Sequence, residues 1–282
     1  MHAIILLVKH ANSGAAPKNK NQQNEGFIVA EWNGKVILIT GGTSGIGLAA
    51  AELFLMMGAK VAINGRDAAK GQQLVERRQE LEKELFFIQG DVAVHDECRQ
   101  IVRQTVEHFG RLDVVVNSAG IYLEKLLAET TETDFQSVLD INMKGTYFIS
   151  KFGVPEIRKA GGGAIVNIAS DAGLRGNLLC TAYCAAKGAV VAFTKALSLE
   201  AAPYGIRVNC VCPGDVATPL LDKQLAAAAD QNQCLKEMEQ LYPLGRIGTP
   251  EEVAQVICFL ASPAAAFVTG AIWTVDGGLT AC

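Results

Sequence analysis

From Trp32 onward, short apolar runs alternate with longer stretches whose apolar residues recur at helical spacing. Val36–Thr40 is the first run and predicts a strand. Leu48–Met57 carries the first helical pattern, and Gly58 follows where a helix end commonly takes a glycine. Lys60–Asn64 predicts a second strand, followed by a charged helix from Ala68 to about Leu85 and a third strand over Phe86–Gln89. Asp96–Phe109 reads as a helix with Ile101, Val102, Thr105 and Phe109 on one side. Leu112–Asn117 is a fourth strand. A long helical stretch covers Asp134 to Lys159, with a break expected near Pro155. The remaining elements are a strand over Ala164–Ala169, a helix over Thr181–Ala202, a strand over Arg207–Cys212, a helix over Pro250–Leu260 and a strand over Ala271–Val275.

Val114, Val115 and Val116 are apolar at consecutive positions, which suits a strand covered on both faces. Strand–helix alternation throughout predicts an α/β fold with a parallel, doubly wound, seven-stranded sheet flanked by helices. Nothing interrupts the alternation after residue 32, so residues 32–282 read as one domain. Residues 1–31 differ. Ala3–Val8 is too short and poorly flanked for a signal peptide, and Ser13–Gly26 is polar, so a flexible leader is expected.

Composition narrows the function. Half of the 282 residues are apolar and 19% are charged, enough for a substantial core and too apolar for a disordered chain. The net charge is −4, and no block of Lys and Arg offers a nucleic-acid footprint. No apolar run reaches transmembrane length. Eight cysteines are scattered without a C-x-x-C pair, so they read as small buried residues in a reducing, cytoplasmic compartment. His95, Cys98 and His108 lack a fourth ligand, and no metal is expected. No histidine follows His108 and no G-x-S-x-G elbow exists, which argues against a Ser-His-Asp hydrolase.

Chemistry first shows in the segment Thr40-Gly41-Gly42-Thr43-Ser44-Gly45-Ile46-Gly47, which joins the first strand to the first helix. Glycines there permit a tight turn and let backbone N–H groups approach a pyrophosphate, while the helix offers its positive end. The location after a buried strand strengthens a signal that glycines alone would leave weak. The absence of G-K-[ST] disfavours a P-loop nucleotidase.

The segment resembles the T-G-x-x-x-G-x-G signature of the short-chain dehydrogenase/reductase family, and the resemblance runs from about Gly34 to Gly278. Further matches are Asp91-Val92, Asn117-Ser118-Ala119-Gly120 (with Ser118 where the family usually has Asn), Asn142, Ser170 and the Y-x-x-x-K motif of Tyr183 and Lys187. Pro213-Gly214-Asp215-Val216-Ala217-Thr218 and the end of the chain from Gly270 to Gly278 also match. The resemblance implies a Rossmann-type fold and a nicotinamide cofactor contacted by the glycine loop, Asp91, Val92, Asn117, Ala119, Gly120, Tyr183, Lys187, Pro213, Gly214, Val216 and Thr218. It also implies a homotetramer.

Y-x-x-x-K is common by chance, so its setting carries the claim: it opens a long helix, with a strand-end serine upstream. Tyr183 and Lys187 share one helix face. A free phenol, with a pKa of about 10, titrates too high for efficient proton exchange near neutrality, and a nearby ammonium is expected to lower it. By resemblance, Lys187 also holds the nicotinamide ribose, Ser170 orients the substrate oxygen, and Asn142 anchors a water that relays protons.

NAD-preferring members of the family end the second strand on an acidic residue. Here that position is Gly65, and Arg66 follows. A guanidinium attracts a 2′-phosphate, so NADP(H) is expected ahead of NAD(H). Pro219–Tyr242 is expected to form a helical lid with an apolar face, and Asp171, Leu174 and Arg175 are placed to line the pocket. The function that emerges is a hydride-transferring carbonyl reductase or alcohol dehydrogenase with a small-molecule substrate. The alternatives are an NAD-linked dehydrogenase of the same family, an epimerase or dehydratase that recycles its cofactor, and a dinucleotide-sensing protein without catalysis.

Overall fold

A computed structural model describes residues 32–78, 83–226 and 228–281, so the leader expected over residues 1–31 lies outside the described residues. Seven parallel strands form one sheet: β1 Val36–Thr40, β2 Lys60–Gly65, β3 Leu85–Gln89, β4 Val114–Asn117, β5 Gly163–Ile168, β6 Ile206–Pro213 and β7 Ile272–Val275, in the order β3-β2-β1-β4-β5-β6-β7. The helices between them are α1 Gly45–Met56, α2 Ala68–Glu76, α3 His95–Phe109, α4 Glu132–Leu139, α5 Gly145–Lys159, α6 Thr181–Ala201, α7 Pro219–Leu225, α8 Gln231–Gln240 and α9 Pro250–Ala261.

The consecutive apolar residues of the strands serve two cores. Ile37, Ile39, Val114 and Val116 face one side, where Phe54 of α1 and Ile257 of α9 pack. Val36, Leu38 and Val115 face the other, against Ile101 of α3 and Ile149 of α5. Period-2 alternation of side chains makes both faces apolar at once. Trp32, where the patterned sequence begins, packs edge-on against Phe54 with ring centroids 4.8 Å apart. Five cysteines are buried, whereas Cys184 and Cys234 are only half-buried; all seven described cysteines are free.

The larger differences from expectation fall in the helices. Helix α1 starts at Gly45, inside the glycine segment. The charged helix ends by Glu76, and Leu85 belongs to β3, where it pairs with Val61. The stretch from residue 132 to 159 is helical throughout, but Asp140–Lys144 forms a π turn between α4 and α5. Pro155 does not end α5: it sits on the exposed face, where water can take the carbonyl that it leaves unbonded.

The sheet order reverses direction between β1 and β4. The connections from these two strands run to opposite faces of the sheet, and the carboxyl ends of strands at such a reversal are where these sheets bind ligands.

Candidate active site

The glycine segment joins β1 to α1 at the carboxyl edge of the sheet. Gly41 and Gly45 have φ of 65° and 52°, in the left-handed region that favours glycine. A Cβ on Gly41 would lie 2.8 Å from Ala119 Cα, and one on Gly47 would lie 2.5 Å from the Gly41 carbonyl oxygen. Close backbone approach therefore excludes side chains from this cradle. Thr40 Oγ1 accepts from the N–H groups of Ser118 and Ala119, each at 3.2 Å, and clamps the loop after β4 to the end of β1. The N-terminus of α1 has no acidic residue in its first turn and no side-chain cap from Ser44. Such an end is suited to an external anion, so these residues fit the diphosphate of a dinucleotide. Thr218 closes one side of the cradle: its Cγ2 would stand 3.1 Å from a Cβ on Gly45.

At the end of β2, a Cβ on Gly65 would come within 2.8 Å of Thr43 Cγ2. A side chain there would have to displace Thr43. The Arg66 side chain is 64% exposed, with Nη1 4.0 Å from Asp91 Oδ2. Such a loose surface pair is worth little and leaves the guanidinium accessible. Asp67, next in sequence, is used as the N-cap of α2, accepting from the Lys70 N–H at 3.0 Å. Asp91 also holds its own loop, accepting from the Ala93 N–H at 2.9 Å, and Val92 is buried in the core.

The second group of residues gathers where β4, β5 and α6 meet. Tyr183 and Lys187 are both buried on α6. Lys187 Nζ donates to the Ile168 carbonyl at 2.9 Å and lies 5.6 Å from the centroid of the Tyr183 ring. Gly120 supplies the gap beside them. A Cβ there would be 2.7 Å from Asn142 Oδ1 and 3.6 Å from Lys187 Nζ. Asn142 sits in the π turn. Its amide donates to the carbonyls of Ile121 and Val138, both at 3.0 Å, and its Oδ1 accepts from the Ile121 N–H at 3.2 Å. These bonds commit the Asn142 side chain to holding the loop after β4. Ser170 follows β5. Its hydroxyl donates to Asp171 Oδ1 at 2.8 Å and accepts from the Ala172 N–H at 3.2 Å.

The expected lowering of the Tyr183 phenol is not what this site produces. Burial pushes the phenol above its ordinary value, opposed by the Ser170 hydroxyl and reinforced by the charges of Asp171 and Asp215. Burial likewise drives Lys187 down, to about 8. Desolvation penalises whichever form is charged, so it moves the acid up and the base down.

Asn117 is placed differently from a ligand group. Its amide donates to Ser150 Oγ at 2.9 Å and Asn167 Oδ1 at 2.8 Å beneath the site, and its own Oδ1 has no partner there. Pro213 ends β6 in register with Val275, and Gly214 packs on the Tyr242 ring. Val216 bridges to Gly248.

Sequence reasoning missed Tyr242. Its hydroxyl accepts from the Asp215 N–H and donates to Asp215 Oδ2, both at 2.7 Å, which ties the end of the expected lid to the turn after β6. Burial raises the Asp215 carboxyl. That lid is two short helices, α7 and α8, with Leu221 buried beneath α7 and no buried residue on α8. Tyr122 was also missed: its ring stands edge-on to Tyr183 at 5.0 Å between centroids. An aromatic a few residues beyond the Ala119-Gly120 turn is the one sequence signal that could have marked it.

The sequence pattern of a family described as Enoyl-(Acyl carrier protein) reductase matches residues 41–280. The chain belongs to the short-chain dehydrogenase/reductase family. It is thus an oxidoreductase acting on CH–OH groups with a nicotinamide cofactor. It is 44% identical to an uncharacterized oxidoreductase of Thermotoga maritima, over 89% of this chain and 99% of that one. It is 41% identical to L-fucose dehydrogenase of Mus musculus, over 89% and 90%. It is 39% identical to a 3-oxoacyl-[acyl-carrier-protein] reductase of Thermotoga maritima, over 87% and 98%. Among solved structures, ElxO with NADP bound superposes with a TM-score of 0.82 at 36% identity, covering 88% of this chain and 99% of that one. Ligand-free aldohexose dehydrogenase of Thermoplasma acidophilum superposes at 0.81 with 32% identity, covering 89% and 96%. Among the described residues, no helix is long and apolar enough to cross a membrane.

Proposed function

We propose that this protein interconverts a ketone or other carbonyl and a secondary alcohol with NADP(H), using Tyr183 as the acid/base. The observation that carries this reading is the buried grouping of Tyr183 and Lys187, with Asn142 and Lys187 beside the gap at Gly120 and Ser170 against the phenol, next to a glycine cradle suited to a diphosphate. When bound, the nicotinamide supplies the hydride donor or acceptor. The protein's own residues do the rest. Tyr183 exchanges a proton with the reacting oxygen. Ser170 stands beside Tyr183 to fix that oxygen. Lys187, hooked to Ile168, holds its ammonium beside the phenol ring. Asn142 keeps the Ile121 loop in place.

Preference for NADP(H) follows from the exposed Arg66 and from the glycine, in place of a carboxylate, at position 65. The NADP-bound structure of ElxO supports the same reading. The relatives' names offer two substrate classes, sugars and acyl thioesters, both of which contain the carbonyl or carbinol carbon that this site requires.

The deciding experiment is Tyr183→Phe. The variant is expected to bind NADPH as the wild type does and to lose turnover on every substrate of a ketone and alcohol panel. Retained turnover would remove Tyr183 from the chemistry.

A further inference from the structure

The Ser170 hydroxyl, which stands beside the Tyr183 phenol, has one proton and directs it to the neighbouring residue. It donates to Asp171 Oδ1 at 2.8 Å, and Asp171 Oδ2 is held by Arg175 Nε at 3.2 Å and by Asn177 Nδ2 at 3.3 Å. Asp171 is 6% exposed, so this carboxylate is a built part of the site and not a rim charge.

For a substrate with a single carbonyl, the arrangement is unfavourable. Ser170 can donate to the reacting oxygen only by leaving Asp171, and Oδ1 of a buried carboxylate then loses its donor. A substrate with a hydroxyl on the carbon next to the reacting one removes that conflict. Oxygens on adjacent carbons lie roughly one hydrogen-bond length apart, the same separation as Ser170 Oγ and Asp171 Oδ1. The reacting oxygen accepts from Ser170 while the neighbouring hydroxyl donates to Asp171. One hydrogen bond is exchanged for two.

We propose that Asp171 is a specificity-determining residue that selects an α-hydroxy carbonyl in reduction and a vicinal diol in oxidation. The proposal rests on the oxidoreductase reading above and adds the substrate class. In the reduction, NADPH delivers hydride to the carbonyl carbon, the C=O π bond breaks, and its oxygen takes the Tyr183 proton. The products are a vicinal diol and NADP+. The α-hydroxyl keeps its proton throughout and serves only for recognition. Arg175 holds Asp171 in position, and the nearby carboxyl groups of Asp215 and Glu124 make the surroundings suit a neutral polyol better than an anionic substrate.

The test compares acetoin (3-hydroxybutan-2-one) with butan-2-one, each reduced with NADPH. They differ by one hydroxyl beside the carbonyl. The wild type is expected to favour acetoin by about ten- to a hundredfold in kcat/KM. In Asp171→Leu, which accepts no hydrogen bond, the ratio is expected to fall to near one. Asp171→Asn keeps shape and a weaker acceptor, and is expected to be intermediate, with the loss mostly in KM for acetoin. If the leucine variant does not fold, the asparagine variant decides. Equal kcat/KM values in the wild type overturn the proposal while leaving the oxidoreductase reading intact. So does a ratio unchanged by the substitutions. Reduction of neither ketone also overturns it, and the Tyr183→Phe comparison on the wider panel then decides the parent reading separately.

Discussion

Tyr183 and Lys187 stand one helical turn apart, and burial moves them in opposite directions. The phenol is raised by desolvation with Asp171 and Asp215 adding to it, while Lys187 falls to about 8 from an ordinary 10.5. The pairing was legible in the Y-x-x-x-K spacing, but the sign of the phenol's shift was not. That sign depends on how many neighbours exclude water, which spacing along one helix does not report. Two consequences follow at this scale. Since the phenolate is the form that accepts a proton from an alcohol, oxidation is expected to rise with pH well into the alkaline range, measured as kcat/KM between pH 6 and 10. The groups facing Tyr183 are Ser170 and Asp171 after β5, Cys180 before α6, Asp215 after β6, Tyr122 after β4 and Lys187 on its own helix. A flat profile would mean that another group sets the proton inventory. Lys187 also costs stability. Its folded pKa lies below its unfolded one, so the unfolded chain binds the extra proton between about pH 8 and 10.5, and stability rises with pH across that window. At pH 7 both states are protonated and the buried ammonium is at its most costly. Lys187→Met is therefore expected to abolish turnover without lowering Tm at pH 7. A drop of several degrees would show that the bond to Ile168 outweighs the desolvation.

Helix α1 shows what single elements add. Its glycines read as a loop, yet the helix begins at Gly45, and Gly47 lies against the carbonyl of Gly41. Propensity argues against helix at such residues, and tertiary closeness overrides it. Gly47→Ala is expected to push the loop off its position, cost about 1–3 kcal/mol in chemical denaturation, and weaken NADPH binding at least tenfold. Unchanged affinity would mean that the cradle is not the diphosphate site. The π turn at Asp140–Lys144 was hidden for a related reason. A hydrophobic period cannot distinguish one widened turn from regular helix, and only the contacts of Asn142 with the loop after β4 reveal its use.

For the whole molecule, the decisive property is the reversal of strand order between β1 and β4, which brings together the glycine cradle, the Asn117–Gly120 turn and the Ser170 loop from three separate stretches of sequence. Binding at such a crevice couples to global stability, since a ligand that binds only the folded form stabilises it by mass action, about 2.7 kcal/mol at a hundredfold excess over Kd. NADPH is expected to raise Tm by several degrees more than NADH at equal concentration. Arg66→Ala is expected to erase that difference while leaving the NADH shift alone. An equal response to both cofactors in the wild type would reject Arg66 as the 2′-phosphate ligand.

The sequence by itself determined the parallel doubly wound sheet and the place of the glycine cradle, and it marked Ser170, Tyr183 and Lys187 as candidate site residues. Each of these is written in local pattern: consecutive apolar strand residues, glycines between a strand and a helix, two side chains one turn apart. Only the tertiary structure decided the Ser170–Asp171–Arg175 arrangement, the anchoring of Tyr242 on Asp215, the turning of Asn117 into the interior and the opposed shifts of Tyr183 and Lys187. These depend on distances between groups and on the exclusion of water, and both arise only when separate elements pack against one another.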